Sequence, residues 1–540
     1  MIRKILHNKT SSIAAAALFV AASSLVSRVL GLVRDRILAG SFGAGDTLDV
    51  YYAAFRLPDL VYNLLVLGAL SAGFIPIFTQ LISKNDSDTV SVEGWRLANN
   101  IFSILLFMLS GLLLFVAIFA RPLAGIFAPG FSGDKLEATV ALTRIMVFSP
   151  LLLGLSAVMG GVLQSTKRFL IYSLAPIMYN LGIIFGALVF VPVFGITGLG
   201  FGVVLGALLH FAIQLPTMFQ LGWRFQPVID FRDASVRKIA VMMVPRTLSL
   251  AVGQVDLLVS TAIASTLASG SLAVFNFANN IQIFPVGIFG IAFATAVFPT
   301  LSALADKRYQ FVASFSSTIK QIWFFIIPAT VFFLIFRAEI IRLLLGVGQF
   351  SWENTRLTYE ALTFFVISLF AQSAIPLLVR SFYARHNSRQ PFYIGVVAVA
   401  ADVFFSLWFS QIWGVAGIAL AFSISSIINF IGLWWLLRRE LKNLNERSIL
   451  ISTSKFILAA VIAGGITLGL KSILHSLLPM DRTIGILLQS GLAGSLGLLA
   501  YVFFCHWLGC TEVQFFWQKL AKKSSLLKTK LADQGEARGI

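Results

Sequence analysis

The chain has 540 residues, of which 58% are hydrophobic and only 12% are charged, and its mean hydropathy is +0.88. An ordinary soluble domain has about 25% charged and about 45–50% apolar residues, so this composition indicates an integral membrane protein and excludes a separate soluble nucleotide-hydrolysing domain. The net charge of +18 is explained by Lys and Arg in the cytoplasmic loops of a polytopic membrane protein, and nucleic acid is not an expected partner.

Apolar segments of about 20 residues, the length of helix that crosses roughly 30 Å of hydrocarbon, recur along the whole chain. The first follows a short basic stretch, as in a secretory signal peptide, but another span comes soon after it, and we expect an uncleaved helix. Apolar length and breaks predict about fourteen spans. They lie near 12–39, 48–82, 96–120, 138–164, 169–193, 196–221, 236–267, 271–303, 315–336, 358–384, 391–411, 414–437, 454–475 and 484–508.

The basic residues are distributed unequally between the connecting segments. With the N-terminus inside, about 28 Lys and Arg fall in cytoplasmic segments and about 7 in external loops. An even number of spans with both termini in the cytoplasm satisfies this bias.

A weak internal repeat divides the chain. The sequence FIPIFTQL at 74–81 resembles VFPTLSAL at 297–304, and Gly45 and Gly270 each open an aromatic run upstream. The offset of about 223–225 residues covers six spans, an even number, so the halves keep the same orientation about an axis along the membrane normal. We therefore predict an all-α polytopic membrane protein with two six-helix lobes and two extra C-terminal helices. The predicted units are a first lobe over 1–222, a second over 223–440, spans 13 and 14 over 441–510, and a basic amphipathic cytoplasmic tail over 511–540.

The stretch Ser27–Phe78 is apolar enough for two spans, yet it is rich in ionisable side chains. A charge at the bilayer centre costs about 2.5–3.5 kcal/mol on insertion scales, and such residues usually face a watery cavity or a partner. We interpret this stretch as the wall of a net-cationic cavity. Its ionisable residues are Arg28, Arg34, Asp35, Arg36, Asp49, Arg56 and Asp59.

The arginines suggest a phosphorylated ligand, because guanidinium stays charged and binds phosphate through two parallel hydrogen bonds. Arg28 and Arg34 diverge by about 120° on a straight helix and converge only if the helix bends, as Gly31 allows. Two alternatives stay open. Arg34 and Arg36 could snorkel to the outer interface, and the nearby aspartates could simply neutralise the arginines.

The second lobe carries fewer charges in its spans. Arg246 follows Pro245, and Asp256 and Asp402 stand in apolar surroundings. An intramembrane carboxylate often holds Na⁺ or a proton that couples transport to an ion gradient. The alternative is a carboxylate that is paired with Arg246 or hydrogen-bonded in the packing.

Enzyme and metal signatures are weak. GGITLGLKS at 464–472 and GLGFGVVLG at 198–206 approximate phosphate loops but lie inside spans, where glycines usually serve close helix packing. Cys505, Cys510 and five scattered histidines form neither a disulfide framework nor a metal site. We expect a transporter without a cofactor, energised by the membrane potential and by Na⁺ or H⁺.

Several of these motifs together resemble a known family. SRVLGLVRD, then FGAG, an Asp spaced before an aromatic pair, FRLP and GALSAGFIPIF are similar to the MurJ/MviN family of lipid II flippases, as is ASGSLAVFNFANNIQIFPVGIFGIAFATAVFPTLS. The resemblance implies the multidrug/oligosaccharidyl-lipid/polysaccharide exporter fold, with the lobes around a central cavity. It further implies export of undecaprenyl-diphosphate-linked peptidoglycan precursor across the bacterial cytoplasmic membrane, in the service of cell-wall biogenesis and cell shape.

The resemblance also implies roles for single residues. It places cavity arginines at Arg28 and Arg34 and a functional acid at Asp49, a lipid-tail groove beside spans 13 and 14, and cell-wall synthesis proteins and membrane lipids as partners. The chain departs from the family pattern at Tyr62, Asn63, Leu67 and Asn280, where cations or a Glu are common, and Arg56 or Arg246 are the candidate substitutes. The positions that match the Na⁺ site of some members are Ser260, Asp402 and Ser406.

We therefore expect a flippase that works by alternating access, with the diphosphate bound by Arg28, Arg34, Asp49, Arg56, Arg246 and Asn280, and an ion coupled at Asp256, Ser260, Asp402 and Ser406. Two alternatives stay open: an exporter of another lipid-linked oligosaccharide with the same fold, and a membrane protein that binds the lipid as a scaffold without transporting it.

Overall fold

The computed structural model describes residues 13–67, 73–83, 90–477 and 483–513. All regular elements in these ranges are helical, which confirms the all-α prediction. The helices up to residue 220 are α1 (Ile13–Phe42), α2 (Asp46–Tyr62), α3 (Ile75–Ser83), α4 (Val92–Ile118), α5 (Ala120–Phe127), α6 (Gly133–Met146), α7 (Phe148–Ser165), α8 (Phe169–Phe185), α9 (Val191–Phe194), α10 (Thr197–Ala212) and α11 (Leu215–Gln220). The remaining helices are α12 (Ala234–Ser265), α13 (Ser271–Pro285), α14 (Ala292–Ala303), α15 (Arg308–Ile335), α16 (Arg337–Leu344), α17 (Trp352–Ile367), α18 (Leu369–Ala384), α19 (Arg389–Trp413), α20 (Val415–Leu441), α21 (Glu446–Leu477) and α22 (Thr483–Trp507).

Among the described residues, ten helical segments are long and apolar enough to cross a membrane, and the pair α17–α18, bent by 49°, is an eleventh. They coincide with eleven of the predicted spans, so the chain is a multi-pass membrane protein. The other three predicted spans, 12–39, 48–82 and 236–267, each include residues or side chains outside the described part of the chain. The count of fourteen is consistent with the structure and stays a prediction.

Two π-helical turns fall at equivalent positions of the sequence repeat. Asn63–Leu67 follows α2 and Val286–Ile291 follows α13, and the offset between their first residues, 286 minus 63, is 223. Each extra residue in a π-turn breaks the regular helical ladder, and such turns often occur at functional sites. The two halves therefore share a local irregularity that their sequences alone do not show.

Glycines bring α8 and α10 into close contact. Backbone atoms of Gly206 lie where a Cβ on Gly182 would stand, and those of Gly202 where a Cβ on Gly186 would stand. Small residues four apart let helix backbones approach closely in a membrane. The glycines at 198–206 thus serve helix packing, which agrees with the prediction that this segment is not a phosphate loop.

The described residues fall into two compact units. The first contains the described residues up to Ala278, together with Leu344–Ala361 and Gly395–Ala421. The second contains Asn279–Leu343, Leu362–Ile394 and the described residues from Phe422 onward. The charged residues of α1 and α2, and both acidic residues of the predicted ion site, belong to the first unit.

Within the second unit, α21 and α22 pack on α15. The Tyr501 hydroxyl of α22 donates a 2.7 Å hydrogen bond to the Phe324 carbonyl of α15, and the centroid of the Phe324 ring is 5.5 Å from those of both Tyr501 and Phe456. Lys471 of α21 pairs with Glu339 at 2.8 Å. These contacts fix the two C-terminal helices to the body of their unit.

Candidate functional site

The carboxylate of Asp49 caps a helix that lies more than two hundred residues away in sequence. Its Oδ2 accepts hydrogen bonds from the Gly270 amide at 2.8 Å and from Lys135 Nζ at 3.0 Å, and its Oδ1 accepts one from the Ala273 amide at 3.0 Å. Asp49 is only 2% exposed. A carboxylate at a helix N-terminus satisfies amides that have no partner in the helix and interacts favourably with the helix dipole. We call this arrangement, on the first turn of α13, the Asp49 cap.

A second carboxylate lies at the edge of the cap. Asp46 accepts hydrogen bonds from Lys135 Nζ at 2.6 Å and from the Ser269 hydroxyl at 2.7 Å. These two bonds, with that from Lys135 first, lower the pKa of Asp46 below its ordinary value. A carboxyl with a depressed pKa stabilises the folded state at neutral pH, and that contribution disappears as the pH falls through the lowered pKa.

Gly270 is required by the geometry of the cap. Its φ of +86° is in the left-handed region, and the Ala44 carbonyl occupies the place of a Cβ. Only glycine combines that backbone angle with so close an approach. The helices α2 and α13 thus meet at their N-termini, where Gly45 and Gly270, related by the sequence repeat, immediately precede them.

Arg56 joins α2 to both α12 and α13. Its Nε donates to the Thr261 hydroxyl at 2.7 Å, and its Nη2 donates to the Asn276 amide oxygen at 2.8 Å. Thr261 and Asn276 are both buried. One edge of the Arg56 guanidinium is therefore used within the protein.

Arg34 is neutralised by its neighbour in sequence. Its Nε and Nη2 both donate to Asp35 Oδ1, at 3.0 and 2.8 Å, and its Nη1 donates to Asn180 Oδ1 at 3.3 Å. Asp35 is buried, whereas the Arg34 side chain is 22% exposed. The sequence leaves two alternatives for Arg34: it snorkels to the outer interface, or an aspartate neutralises it. The observed contacts fit the second. Asp59 interacts electrostatically with both Arg56 and Arg34, so α1 and α2 share one charged region.

The remaining predicted diphosphate residues are Arg28, Asn280 and Arg246. Arg28 is exposed on α1 and forms no hydrogen bond or ion pair with another described residue. Asn280 is half-buried on α13. The side chain of Arg246 lies outside the described part of the structure.

The carboxyl groups of Asp256 on α12 and Asp402 on α19 interact electrostatically, and Asp256 Oδ1 and both Asp402 oxygens are buried without a hydrogen-bond partner among the described residues. Asp402 is 1% exposed, and Ser406, one turn further along α19, is fully buried beside it. Val252 of α12 contacts α19 at Gly395, so the two helices pack along this region. Two carboxylates in one buried site cannot both stay ionised without a cation between them. Ser260 is also buried on α12, one turn beyond Asp256.

Sequence reasoning missed several partners of these charges. The sequence alone singles out none of Asn180, Lys135, Thr261 and Ser269. A polar side chain in an apolar span, such as Asn180, is the one local signal that pointed to them.

The comparisons with known proteins agree with one another. A family model described as lipid II flippase MurJ matches residues 38–487. A probable lipid II flippase MurJ of Rhizobium tropici is 28% identical over 519 residues, which cover 93% of this chain and 96% of that protein. The lipid II flippase MurJ of Burkholderia cenocepacia is 27% identical over 436 residues, with 79% of this chain and 84% of that protein covered.

Two solved structures support the fold. A structure titled lipid II flippase MurJ, inward closed conformation, matches with a TM-score of 0.74 at 22% identity, over 94% of this chain and all of that one. A multidrug resistance MATE family transporter of the MOP superfamily, in an inward-facing conformation, matches with a TM-score of 0.64 at 15% identity, over 80% of this chain and 99% of that one.

Proposed function

The chain belongs to the lipid II flippase MurJ family, and we propose on that basis that it moves lipid II from the inner to the outer leaflet of the bacterial cytoplasmic membrane. The observation that carries the proposal is the match of the family model to residues 38–487, which include all of α2, with Asp49 and Arg56, and the end of α1. The protein is a transporter and not an enzyme, and it belongs to the superfamily that includes the MATE exporters. We further propose that both termini are cytoplasmic.

The chemistry of the charged region supports a diphosphate ligand. Arg28 has no described partner, and Arg34 is held at Asp35 by bonds to a single carboxylate oxygen. A diphosphate offers more acceptor oxygens and one more negative charge than a carboxylate, so it can displace Asp35 from Arg34 and engage Arg28 as well. Arg56 is used between helices, and we propose that it positions α2 and contributes its field to the ligand.

We propose that access alternates through the Asp49 cap. The positive-inside bias places the loop between α1 and α2 on the external side, so the cap closes an external contact between α2 and α13. Its bonds must break for the ligand to leave outward. The predicted lobes, 1–222 and 223–440, supply these two helices, while spans 13 and 14 over 441–510 are proposed to hold the polyprenyl tail and 511–540 to lie on the inner surface.

The direct test is rescue of a strain depleted of its own flippase, with the unflipped lipid-linked precursor measured. We expect the accumulated precursor to fall to the undepleted level when this chain is expressed. If the chain reaches the membrane and the precursor still accumulates, the protein binds the lipid without moving it or exports another lipid-linked oligosaccharide.

The membrane potential is expected to drive export. Moving one negative charge outward is favoured by about 2.3 kcal/mol per 100 mV of inside-negative potential, and the diphosphate carries about two such charges. In cells that depend on this chain, collapse of the potential with valinomycin and K⁺ should lower lipid II export severalfold. The pH gradient is held constant as the control. Export at an undiminished rate would contradict this energy source.

We also propose that Asp256 and Asp402 together hold one coupling cation, Na⁺ or H⁺, because paired buried carboxylates require one. Asp402→Asn removes one charge and leaves the shape, so export by this variant should no longer respond to the gradient of the coupling ion. The measurement is export in Na⁺ or choline buffer at fixed pH, and at two pH values at fixed Na⁺. Asp230→Asn, at a half-buried position in another segment, is the control. A variant that keeps the wild-type response to both ions would exclude this pair.

A further inference from the structure

A basic pocket of about 410 Å³ lies in the second unit, apart from the charged helices α1 and α2. It is bounded by the first turns of α21, by Lys320 of α15 and by the residues that follow α22. This volume is within the range of small-ligand sites, about 300–1,000 Å³. The side chains that would meet a ligand are Lys320, Arg447, Ser448, Ser452, Lys455 and Thr511.

The pocket has an excess of positive charge. Lys320, Arg447 and Lys455 line it, and the carboxylate of Glu512 is 3.9 Å from Lys320 Nζ. Glu446 bonds Arg438 instead, at 3.0 Å. Within the part of the chain that the structure describes, Arg447 and Lys455 form no ion pair. Three cations against one acid leave the pocket suited to an anion.

The hydroxyl groups of the pocket can recognise the part of the ligand that is attached to its anionic group. Ser448 already accepts a hydrogen bond from Lys320 Nζ at 3.3 Å, which fixes that ammonium at the pocket wall. Ser452 and Thr511 face the same space. Hydroxyls donate and accept, so they suit a polyol such as glycerol beside a phosphate diester.

The surroundings favour a lipid over a free phosphate. Ile451 also lines the pocket, and it is 49% exposed; Leu458, seven residues later on the same face of α21, is 50% exposed. An apolar, exposed helix face in a membrane protein is in contact with acyl chains. The predicted spans 454–475 and 484–508 respectively begin and end at the pocket, which is therefore at headgroup depth.

We propose that this pocket binds the headgroup of an anionic phospholipid, with the phosphate held by Arg447, Lys455 and Lys320 and the acyl chains lying along the Ile451 face of α21. Basic pockets between membrane helices are the usual sites for such headgroups. The proposal does not depend on lipid II transport, and its test uses binding alone.

The experiment is native mass spectrometry of the full chain in detergent, titrated with dioctanoyl phosphatidylglycerol or dioctanoyl phosphatidylcholine. We expect the phosphatidylglycerol to bind at least tenfold more tightly. Glycerol 3-phosphate and inorganic phosphate, added as competitors, should displace it only at concentrations at least a hundredfold higher. Equal binding of the two lipids would overturn the proposal, and glycerol 3-phosphate binding as tightly as the lipid would assign the pocket to a soluble phosphate ester.

Matched variants locate the binding. Arg447→Gln with Lys455→Gln should weaken phosphatidylglycerol binding at least tenfold, whereas Arg237→Gln with Lys238→Gln, which removes the same two charges from exposed positions of α12, should change it less than twofold. Ser452→Phe fills the pocket and keeps its charge, so it should also abolish binding and remains informative if the charge variant does not fold. Equal weakening by both charge variants, or normal binding by Ser452→Phe, would show a nonspecific surface effect.

Discussion

Arg34→Ala is expected to abolish rescue of a flippase-depleted strain. The guanidinium of Arg34 has a fixed geometry, because Asp35 and Asn180 hold it in place. Removal of a charge-assisted hydrogen-bonding group costs about 1.5–3 kcal/mol, so lipid II export should fall at least about tenfold. The measurement is accumulation of unflipped precursor at matched levels of protein in the membrane.

Two further variants separate charge from geometry at this position. Arg34→Lys keeps the positive charge but loses the planar fork that binds two phosphate oxygens at once, and we expect partial export. Arg237→Ala, which removes an exposed arginine of α12, should leave export unchanged. If Arg34→Ala exports at the wild-type rate, the diphosphate is bound elsewhere and the proposed site is wrong.

Arg28→Ala should be measured beside Arg34→Ala, because Arg28 has no described partner that the substitution would leave unpaired. Its replacement by alanine leaves no buried acid unpaired, whereas loss of Arg34 leaves Asp35 buried without its counter-charge. An export defect in Arg28→Ala at normal protein levels would therefore report ligand binding more directly than the same defect in Arg34→Ala.

The membrane class and most spans followed from the sequence because they depend on local properties. Apolar length decides whether a helix crosses the bilayer, and Asp35 could be named as a neutralising acid because it is adjacent to Arg34. Partners such as Asn180, 146 residues from Arg34, and Asn276, 220 residues from Arg56, depend on which helices pack together. No local pattern contains that information.

Asp49 illustrates both what the sequence can predict and what only the structure shows. A carboxylate in an apolar stretch indicated function, and the resemblance assigned it a role. Its partners are amides at the start of α13. Every residue except proline has a backbone amide, so the amino-acid sequence does not indicate which amides bind Asp49. The repeated glycines Gly45 and Gly270 were visible as a pattern, but only the structure shows that the two helix starts are in contact.

Asp49→Asn is expected to open the contact between α2 and α13. The amide that replaces one carboxylate oxygen is a donor, and it would face another donor: the Gly270 or Ala273 amide, or the Lys135 ammonium. A buried donor without a partner costs about 1–3 kcal/mol, so the closed population should fall about tenfold or more. Export should fall with it, because alternating access needs the external side to close.

A cysteine placed behind the cap can report this opening. Ala53 lies one turn beyond Asp49 on the same face of α2 and is 8% exposed. In a background that has Ala53→Cys and lacks Cys505 and Cys510, a membrane-impermeant maleimide added from outside should label the Asp49→Asn protein at least about tenfold faster than the parent. Asp46→Asn is the matched control: Asp46 shares Lys135 with Asp49 but accepts from Ser269 and not from the α13 amides, so its loss should change labelling little. If Asp49→Asn loses export but labels at the parent rate, Asp49 contributes to transport in some way other than closing this contact.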